Sequence, residues 1–553
     1  MGRVAGQLPL LGHRRRRQGS RSGGRLIPSR PAHTVNTARV RLPSPDAGGM
    51  TGGSTMALLP QTGAEDPAEP DAEGLGATAA RGAAWSGVST IVLRLGSVIV
   101  GVVVARILAP DQFGVYAVAL TVQGILMTVA DLGLSSEIIR SEEPDRIAPT
   151  VATFGLISGT GLALATIVSS SRLADLLGDR DAAGAIAVLS LTLLLAGVSI
   201  VPYGLMLRRF QQRELFLISL VDLIVSTAVT FALLAAGLGV LSLAIGRVAA
   251  QAISSTLQFV ATRMRPRLGL DRARWRGILA FSLPVAGANL FAWILLNVDN
   301  VVIARMAGAT ALGFYVLGFN IANWPMSALS QMVRSIALPY TSRVPDSAGA
   351  LPQLTAVIWS MALPAGVTLA ALAGPLIHVI YGAKWAPSVP VLAALGIYGG
   401  LRVIFDLFSG YLYALGRSRP VLWLQVLTIV VLTAGMIVMT SRHGIVGAAW
   451  VHVGASAVFI LPGYLAIIRA TGVRVTALIR ACLRPTLATL PACLVALAAS
   501  HLISRPLIAL LAGGAGAVAL YLAVTGRWLL SRLARIRGPR AEDVSDPGAA
   551  QIP

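Results

Sequence analysis

Ala105-Arg106-Ile107-Leu108-Ala109-Pro110-Asp111-Gln112-Phe113-Gly114-Val115-Tyr116 closes one long apolar run, turns tightly and opens another. The same signature returns from Ala304-Arg305-Met306 to Gly313-Phe314-Tyr315, with Arg, Gly and Tyr each displaced by 199 residues. A recurrence at fixed spacing, each time between two apolar runs, predicts that the first half of the chain is built again in the second.

The composition around these turns fixes the class. The chain has 553 residues, 55% hydrophobic and 12% charged, whereas soluble domains carry about 25% charged residues. Apolar runs alternate with short polar loops from about residue 82 to about 526, which predicts an all-α polytopic membrane protein. The ~10-residue alternating segments of a membrane β-barrel are missing from this pattern. Fourteen runs reach about 20 residues or more, enough to cross a ~30 Å hydrocarbon core. The repeated turns join runs 1–2 and 7–8, so the expected architecture is two parallel six-helix lobes followed by two C-terminal helices. The expected boundaries are an N-lobe at 81–262, a basic linker at 263–277, a C-lobe at 278–469, helices 13 and 14 at 470–527, and a tail at 528–553.

Residues 1–80 read differently. Arg14-Arg15-Arg16-Arg17 lies in a Gly, Pro, Ser and Arg-rich stretch, and an acidic segment follows from Glu65 to Glu73. This composition predicts disorder. A basic tail lying on the membrane is the functional alternative, and a translation start at Met50 or Met56 is the plainer one. No apolar core with a small-residue cleavage site follows the basic residues, so a signal peptide is not expected.

The net charge of +21 invites a nucleic-acid partner, but the arginines sit in loops between apolar runs. With the N-terminus inside, 24 basic residues fall in loops and tail on that side and 7 on the other. The positive-inside rule then places both termini in the cytoplasm and accounts for the charge without nucleic acid. Cys482 and Cys493 share one apolar run, roughly 16 Å apart on a helix at 1.5 Å per residue, too far for a disulfide. The six histidines show no metal spacing.

Charges at membrane depth are costly and persist only when paired or beside a wet cavity. Arg94 in span 1, Arg247 in span 6 and Arg402 in span 10 are the cations, and Asp131, Asp222, Asp299 and Asp406 are the acids. Asn289, Asn297, Asn300, Asn320, Asn323 and Gln425 are uncharged polar candidates. Each has a plain structural reading. Arg402 and Asp406 stand i, i+4 and can pair on one helix. Asp131 and Asp299 lie near span ends, where they reach water or cap a turn, while Asn320 and Asn323 suit helix–helix hydrogen bonds. His378 and His452 suit packing or snorkelling, and Arg106 and Arg305 suit snorkelling to head groups, although their recurrence in both turns suggests a shared structural role. Arg94 has no acid one turn away on its own span, so its partner comes from another helix, a wet cavity or an anion. Arginine is suited to bidentate phosphate binding, and several intramembrane arginines on one cavity would hold a diphosphate. Prolines at 202, 284, 325, 364, 375 and 462 lie in or beside the runs and suit kinks or hinges.

Catalytic signatures are missing from the sequence. It has no phosphate-cradling Gly-Lys-Ser/Thr loop, no zinc-protease motif, no Asp-rich cluster and no loop long enough for a separate catalytic domain. No enzyme activity, cofactor or metal is expected.

The set Trp85-Ser86, Ser89-Thr90, Ala105-Arg106-Ile107, Phe113-Gly114, Asp131-Leu132-Gly133, Ile138-Ile139-Arg140, Val302-Ile303-Ala304-Arg305 and Tyr381-Gly382-Ala383-Lys384-Trp385 carries a family resemblance. Over most of residues 80–530 the chain resembles the polysaccharide exporters of the multidrug/oligosaccharidyl-lipid/polysaccharide flippase superfamily, of the colanic-acid and teichuronic-acid type. The resemblance implies two lobes around a central cavity and a cargo of polyprenyl-diphosphate-linked oligosaccharide moved to the outer leaflet of a bacterial cytoplasmic membrane. It also implies cavity cations on the diphosphate, for which Arg94, Arg247 and Arg402 are the positions at hand, with Asn289, Asn297, Asn320, Asn323 and Gln425 toward sugars. Asp131, Asp222, Asp299 and Asp406 are then candidates for pairing or for coupling to H+ or Na+. Membrane lipids and glycan polymerases or glycosyltransferases are the implied partners. The alternatives are a drug/cation antiporter of the same superfamily, a membrane glycan polymerase or ligase, and a non-transporting scaffold.

Overall fold

A computed structural model of the chain describes residue 90, residues 92–343 and residues 347–537. The expectations for residues 1–80 and for the last part of the tail lie outside the described residues. Helices follow one another almost without interruption: α1 (92–107), α2 (Pro110–Asp131), the short α3 (Leu134–Arg140), α4 (Pro144–Leu176), α5 (Ala182–Arg208), α6 (Gln212–Ala235) and α7 (Val240–Thr262) form the first half. After the linker come α8 (Trp275–Ala307), α9 (Ala309–Arg343), α10 (Ser347–Ala371), α11 (Ala373–Ile380), α12 (Val389–Ala414), α13 (Ser418–Ala455) and α14 (Leu461–Arg469). The chain closes with α15 (Val475–Leu502) and α16 (Pro506–Arg537). No strand occurs among the described residues.

Eleven helices among the described residues are long and apolar enough to cross a membrane. Backbone groups in hydrocarbon must be satisfied within the segment, which is why such runs become helices whatever their intrinsic propensity. One of the eleven, Ser418–Arg469, has 52 residues, far more than one crossing needs. It is two arms. Gly444 at φ 60°, ψ −147° breaks α13, and Gly435 lies against Val451 across the turn. Helices overrun the apolar runs where polar residues continue the turn: α16 extends to Arg537, past residue 528 where the tail is expected to start.

The internal repeat is visible in packing. α4 lies on α5 with Gly155 against Gly197, where a Cβ at Gly155 would stand 2.6 Å from the Gly197 carbonyl oxygen. α10 lies on α12 with Gly366 against Gly396, and a Cβ at Gly366 would meet the Gly396 oxygen at 2.5 Å. Gly197 and Gly396 are again 199 residues apart. Close backbone approach at small residues is a common way for helices to associate in lipid, where apolar burial offers little drive.

The largest apolar cluster spans both lobes beside the two repeated turns. It joins Ala105, Val115 and Val118 to Ile303, Leu312, Tyr315 and Trp385. Away from the turns the core divides. One cluster lies in the second half around Met326, Phe405, Phe408 and Tyr464. Another lies in the first half around Leu134, Ile147 and Ile200, joined from the second half by Ile278 at the start of α8.

Candidate functional site

The repeated turns meet each other. Gly114 packs on Ala309, and a Cβ at Gly313 would come within 2.8 Å of the Pro110 oxygen and 2.9 Å of the Gly114 nitrogen. Trp385 is fully buried between the two, edge-on to Phe113 at 5.3 Å and to Phe314 at 5.8 Å. Its Nε1 donates to the Ala105 oxygen at 2.9 Å. Lys384 Nζ donates to the Arg106 oxygen at 2.9 Å and the Leu108 oxygen at 2.6 Å. In return Arg106 Nε donates to the Ile380 oxygen at 2.6 Å, and its Nη2 reaches Val379. The last carbonyls of a helix have no partner within it and carry partial negative charge. Here α1 and α11 end side by side, and a cation from each strand of chain caps the other's terminus. Arg106 therefore ties the two halves together, although it is exposed like its counterpart Arg305.

The intramembrane arginines fall into two kinds. Arg247 on α7 pairs with Asp222 on α6 at 2.8 Å, and Asp222 also accepts from Ser254 Oγ at 3.0 Å. That set is complete within the first half. Arg94 on α1 instead reaches the Ser327 hydroxyl on α9, across the seam between the lobes. Arg402 on α12 donates to Asn323 Oδ1, also on α9, at 3.0 Å. Asn323 and Ser327 stand i, i+4, so they share a face of α9 about 6 Å apart along its axis. Neither Arg94 nor Arg402 forms an ion pair among the described residues.

The pairing of Arg402 with Asp406, open from their spacing, is not the one formed. Asp406 Oδ1 instead stands 3.5 Å from Arg334 Nη1. An acid preceding the base is the better order for an i, i+4 pair, and here the base comes first. The Asp406 Oδ2 atom is buried with no donor among the described residues.

Arg402 and Asp406 line a cavity of about 260 Å³ with Asp299, Gln425, Tyr398 and His452, between α8, α12 and both arms of α13. Asp299 is buried at 6% exposure, not at a wet span end, because α8 continues two turns beyond it to Ala307. It accepts from Tyr315 Oη at 3.1 Å and from the Asn300 N–H at 2.9 Å. His452 is buried with its ring 5.0 Å from Tyr398. Ser409 and Tyr464 hydroxyls close another wall at 2.7 Å.

The remaining candidates lie apart from this cavity. Asp131 accepts from Ser135 Oγ at 3.1 Å across the α2–α3 break. Asn297 donates to the Trp293 oxygen at 2.9 Å on its own helix, and Asn289 and Asn320 are exposed. Sequence reading missed Arg334, Tyr398, and the capping pair Lys384 and Trp385. A signal for the last existed: Lys384 is the one lysine of an arginine-rich chain, beside a tryptophan.

The family model described as polysaccharide biosynthesis protein matches residues 103–390. Among curated proteins, the chain is similar to the succinoglycan biosynthesis transport protein ExoT of Rhizobium meliloti, 28% identical over 339 residues, covering 60% of this chain and 69% of that protein. It is similar to the lipopolysaccharide biosynthesis protein WzxC of Escherichia coli, 26% identical over 348 residues, covering 61% and 70%. Among solved structures, the lipid II flippase MurJ in an inward closed conformation superposes with a TM-score of 0.65 at 14% identity, covering 81% of this chain and 99% of that one. At that identity the likeness speaks for the two-lobed fold alone.

Proposed function

The chain belongs to the polysaccharide biosynthesis protein family, and from that premise we propose that it translocates a polyprenyl-diphosphate-linked oligosaccharide by alternating access. It is a multi-pass membrane transporter, not an enzyme. One observation carries the cargo reading: Arg94 and Arg402 are held by neutral side chains one turn apart on α9, so two cations at membrane depth await an anion. A diphosphate supplies that charge, and Arg binds it with two parallel hydrogen bonds. Arg247, already neutralised by Asp222, has a supporting role in the bundle.

In this reading the lobes are 81–262 and 278–469, divided by the linker 263–277, with 470–527 added to the second. The paired caps of Arg106 and Lys384 hold one end of the seam shut, and cargo binding opens it. Gln425, Asn323, Asn297, Asn289 and Asn320 serve the sugars. The membrane is the bacterial cytoplasmic membrane with both termini inside, and glycan polymerases or glycosyltransferases act beside the transporter. The Asp406 oxygen, which has no donor among the described residues, favours coupling to H+ or Na+, with buried Asp299 on the same cavity, since a carboxylate oxygen without a donor is suited to take up a cation.

The test is reconstitution into liposomes with a fluorescent lipid-diphosphate oligosaccharide. Wild type is expected to flip it, and Arg94→Ala and Arg402→Ala to lose at least ten-fold by analogy with other charge-assisted contacts. Flipping by both variants at the wild-type rate sinks the anion site and leaves the transport. Folded wild-type protein that moves a cationic drug and not the lipid transfers the assignment to the antiporter reading. Imposing a Na+ or a H+ gradient identifies the driving ion, and Asp299→Asn is expected to abolish the response.

A further inference from the structure

The linker between the lobes does more than carry positive charge. It is an extended strap pinned across the start of α4. The Gly269 N–H donates to Thr153 Oγ1 at 3.0 Å, the Asp271 N–H donates to Thr150 Oγ1 at 2.9 Å, and Arg274 pairs with Glu143 at 2.8 Å. Beneath the strap lies a cavity of about 540 Å³ between α4, α5 and α7. Leu156, Val198, Val201 and Phe259 form its apolar walls, and Arg263, Arg265 and Arg267 its rim.

These arginines alternate with Met264, Pro266 and Leu268. Arg263 ends α7 in the left-handed region at φ 53°, Arg265 and Arg267 follow in the segment beyond it, and all three line the cavity. None of the three forms an ion pair among the described residues. Asp145, the one carboxylate lining the cavity, pairs with none of them. Apolar side chains flank the rim at the surface: Val260 is 66% exposed, Leu268 61% and Leu270 53%. Cationic rim, apolar walls and exposed leucines together match the lipid–water interface. A topology signal requires arginines on one side of the membrane, and neither the pinned strap nor the cavity beneath it.

We propose that this pocket seats a lipid with a phosphate-bearing anionic head group, the three arginines on the phosphate and the apolar walls around the first part of its chain. Its volume falls within the range of about 300–1,000 Å³ common for ligand pockets. Because the strap joins the lobes and lies on α4, an occupied seat stiffens the connection between them. The inference stands independently of the transport reading.

The full chain in neutral detergent is titrated with fluorescent phosphatidylglycerol, with phosphatidylcholine as the zwitterionic comparison. Replacing Arg263, Arg265 and Arg267 by Gln together is expected to weaken phosphatidylglycerol binding at least ten-fold. Val198→Trp, which fills the cavity and keeps the charge, is expected to do the same. The equal charge removal Arg417→Gln/Arg419→Gln/Arg469→Gln is expected to leave binding within two-fold, and melting temperatures show that each variant is folded. Wild-type binding by the triple rim variant, or an equal loss in the control, overturns the proposal. Competition by undecaprenyl diphosphate assigns the seat to polyprenyl lipids as well, and its absence confines the seat to phospholipid. Both results sustain the phosphate seat.

Discussion

The two lobes share a scaffold and differ in their polar interiors. Turn and helix residues recur at 199 residues: Arg106 and Arg305, Gly114 and Gly313, Tyr116 and Tyr315, Gly197 and Gly396. The charges do not. Counting back 199 from Asp299, Arg402 and Asp406 gives Val100, Tyr203 and Leu207. In the first lobe Arg247, Asp222 and Ser254 satisfy one another. In the second, Arg402 has an amide, Asp406 keeps a buried oxygen without a donor among the described residues, and both face a cavity. Packing residues are constrained in both copies because a helix pair tolerates no bulk at its closest approach. A buried charge is costly and is retained where it is compensated or used.

The comparison can be broken at its shared part first. Gly114→Leu and Gly313→Leu drive a side chain into the facing backbone at the seam, and each is expected to abolish transport and lower the melting temperature. An active Gly114→Leu protein would show that the turns need not meet. Next, Arg402→Ala is expected to reduce transport at least ten-fold while the melting temperature stays nearly constant, since its partner is a neutral amide. Arg247→Ala should do the reverse: a loss of about 1–3 kcal/mol in stability as Asp222 is left with Ser254, and transport per folded molecule within about two-fold of wild type on that account. Equal transport losses in the two variants would make the lobes functionally equivalent. Asp222→Ala/Arg247→Ala is expected to recover part of the lost stability, because removing both partners leaves no orphan charge. The smallest effect is expected for Lys384→Ala, which removes a cation from the end of α1 and costs roughly 1 kcal/mol of closure. Fluorescence transfer between labels at Asp111 and Ala383 would report that opening.

Much of the fold was legible because its causes are local. An apolar run of sufficient length has one way to satisfy its backbone in lipid, so helices could be read from composition and length. The break at Gly444 coincides with the polar stretch Ser441-Arg442-His443 between two such runs. The candidate site was legible in part. Arg94, Arg402, Asp299, Asp406, Asn323 and Gln425 stood out as polar residues at membrane depth. Who pairs with whom did not, since Ser327, Asn323 and Arg334 all come from α9, distant in sequence from α1 or α12. The i, i+4 rule alone left Arg402 beside Asp406, whereas α9 supplied both with other partners.

Sequence by itself determined the class, the family, the duplication and the residues at which charge enters the membrane, because hydropathy and repeat spacing are properties of a single segment. Tertiary structure decided which charges are neutralised, which two cations share one face of α9, and that each half caps the other's helix at the seam. Those outcomes depend on distances between helices, and no single segment carries them.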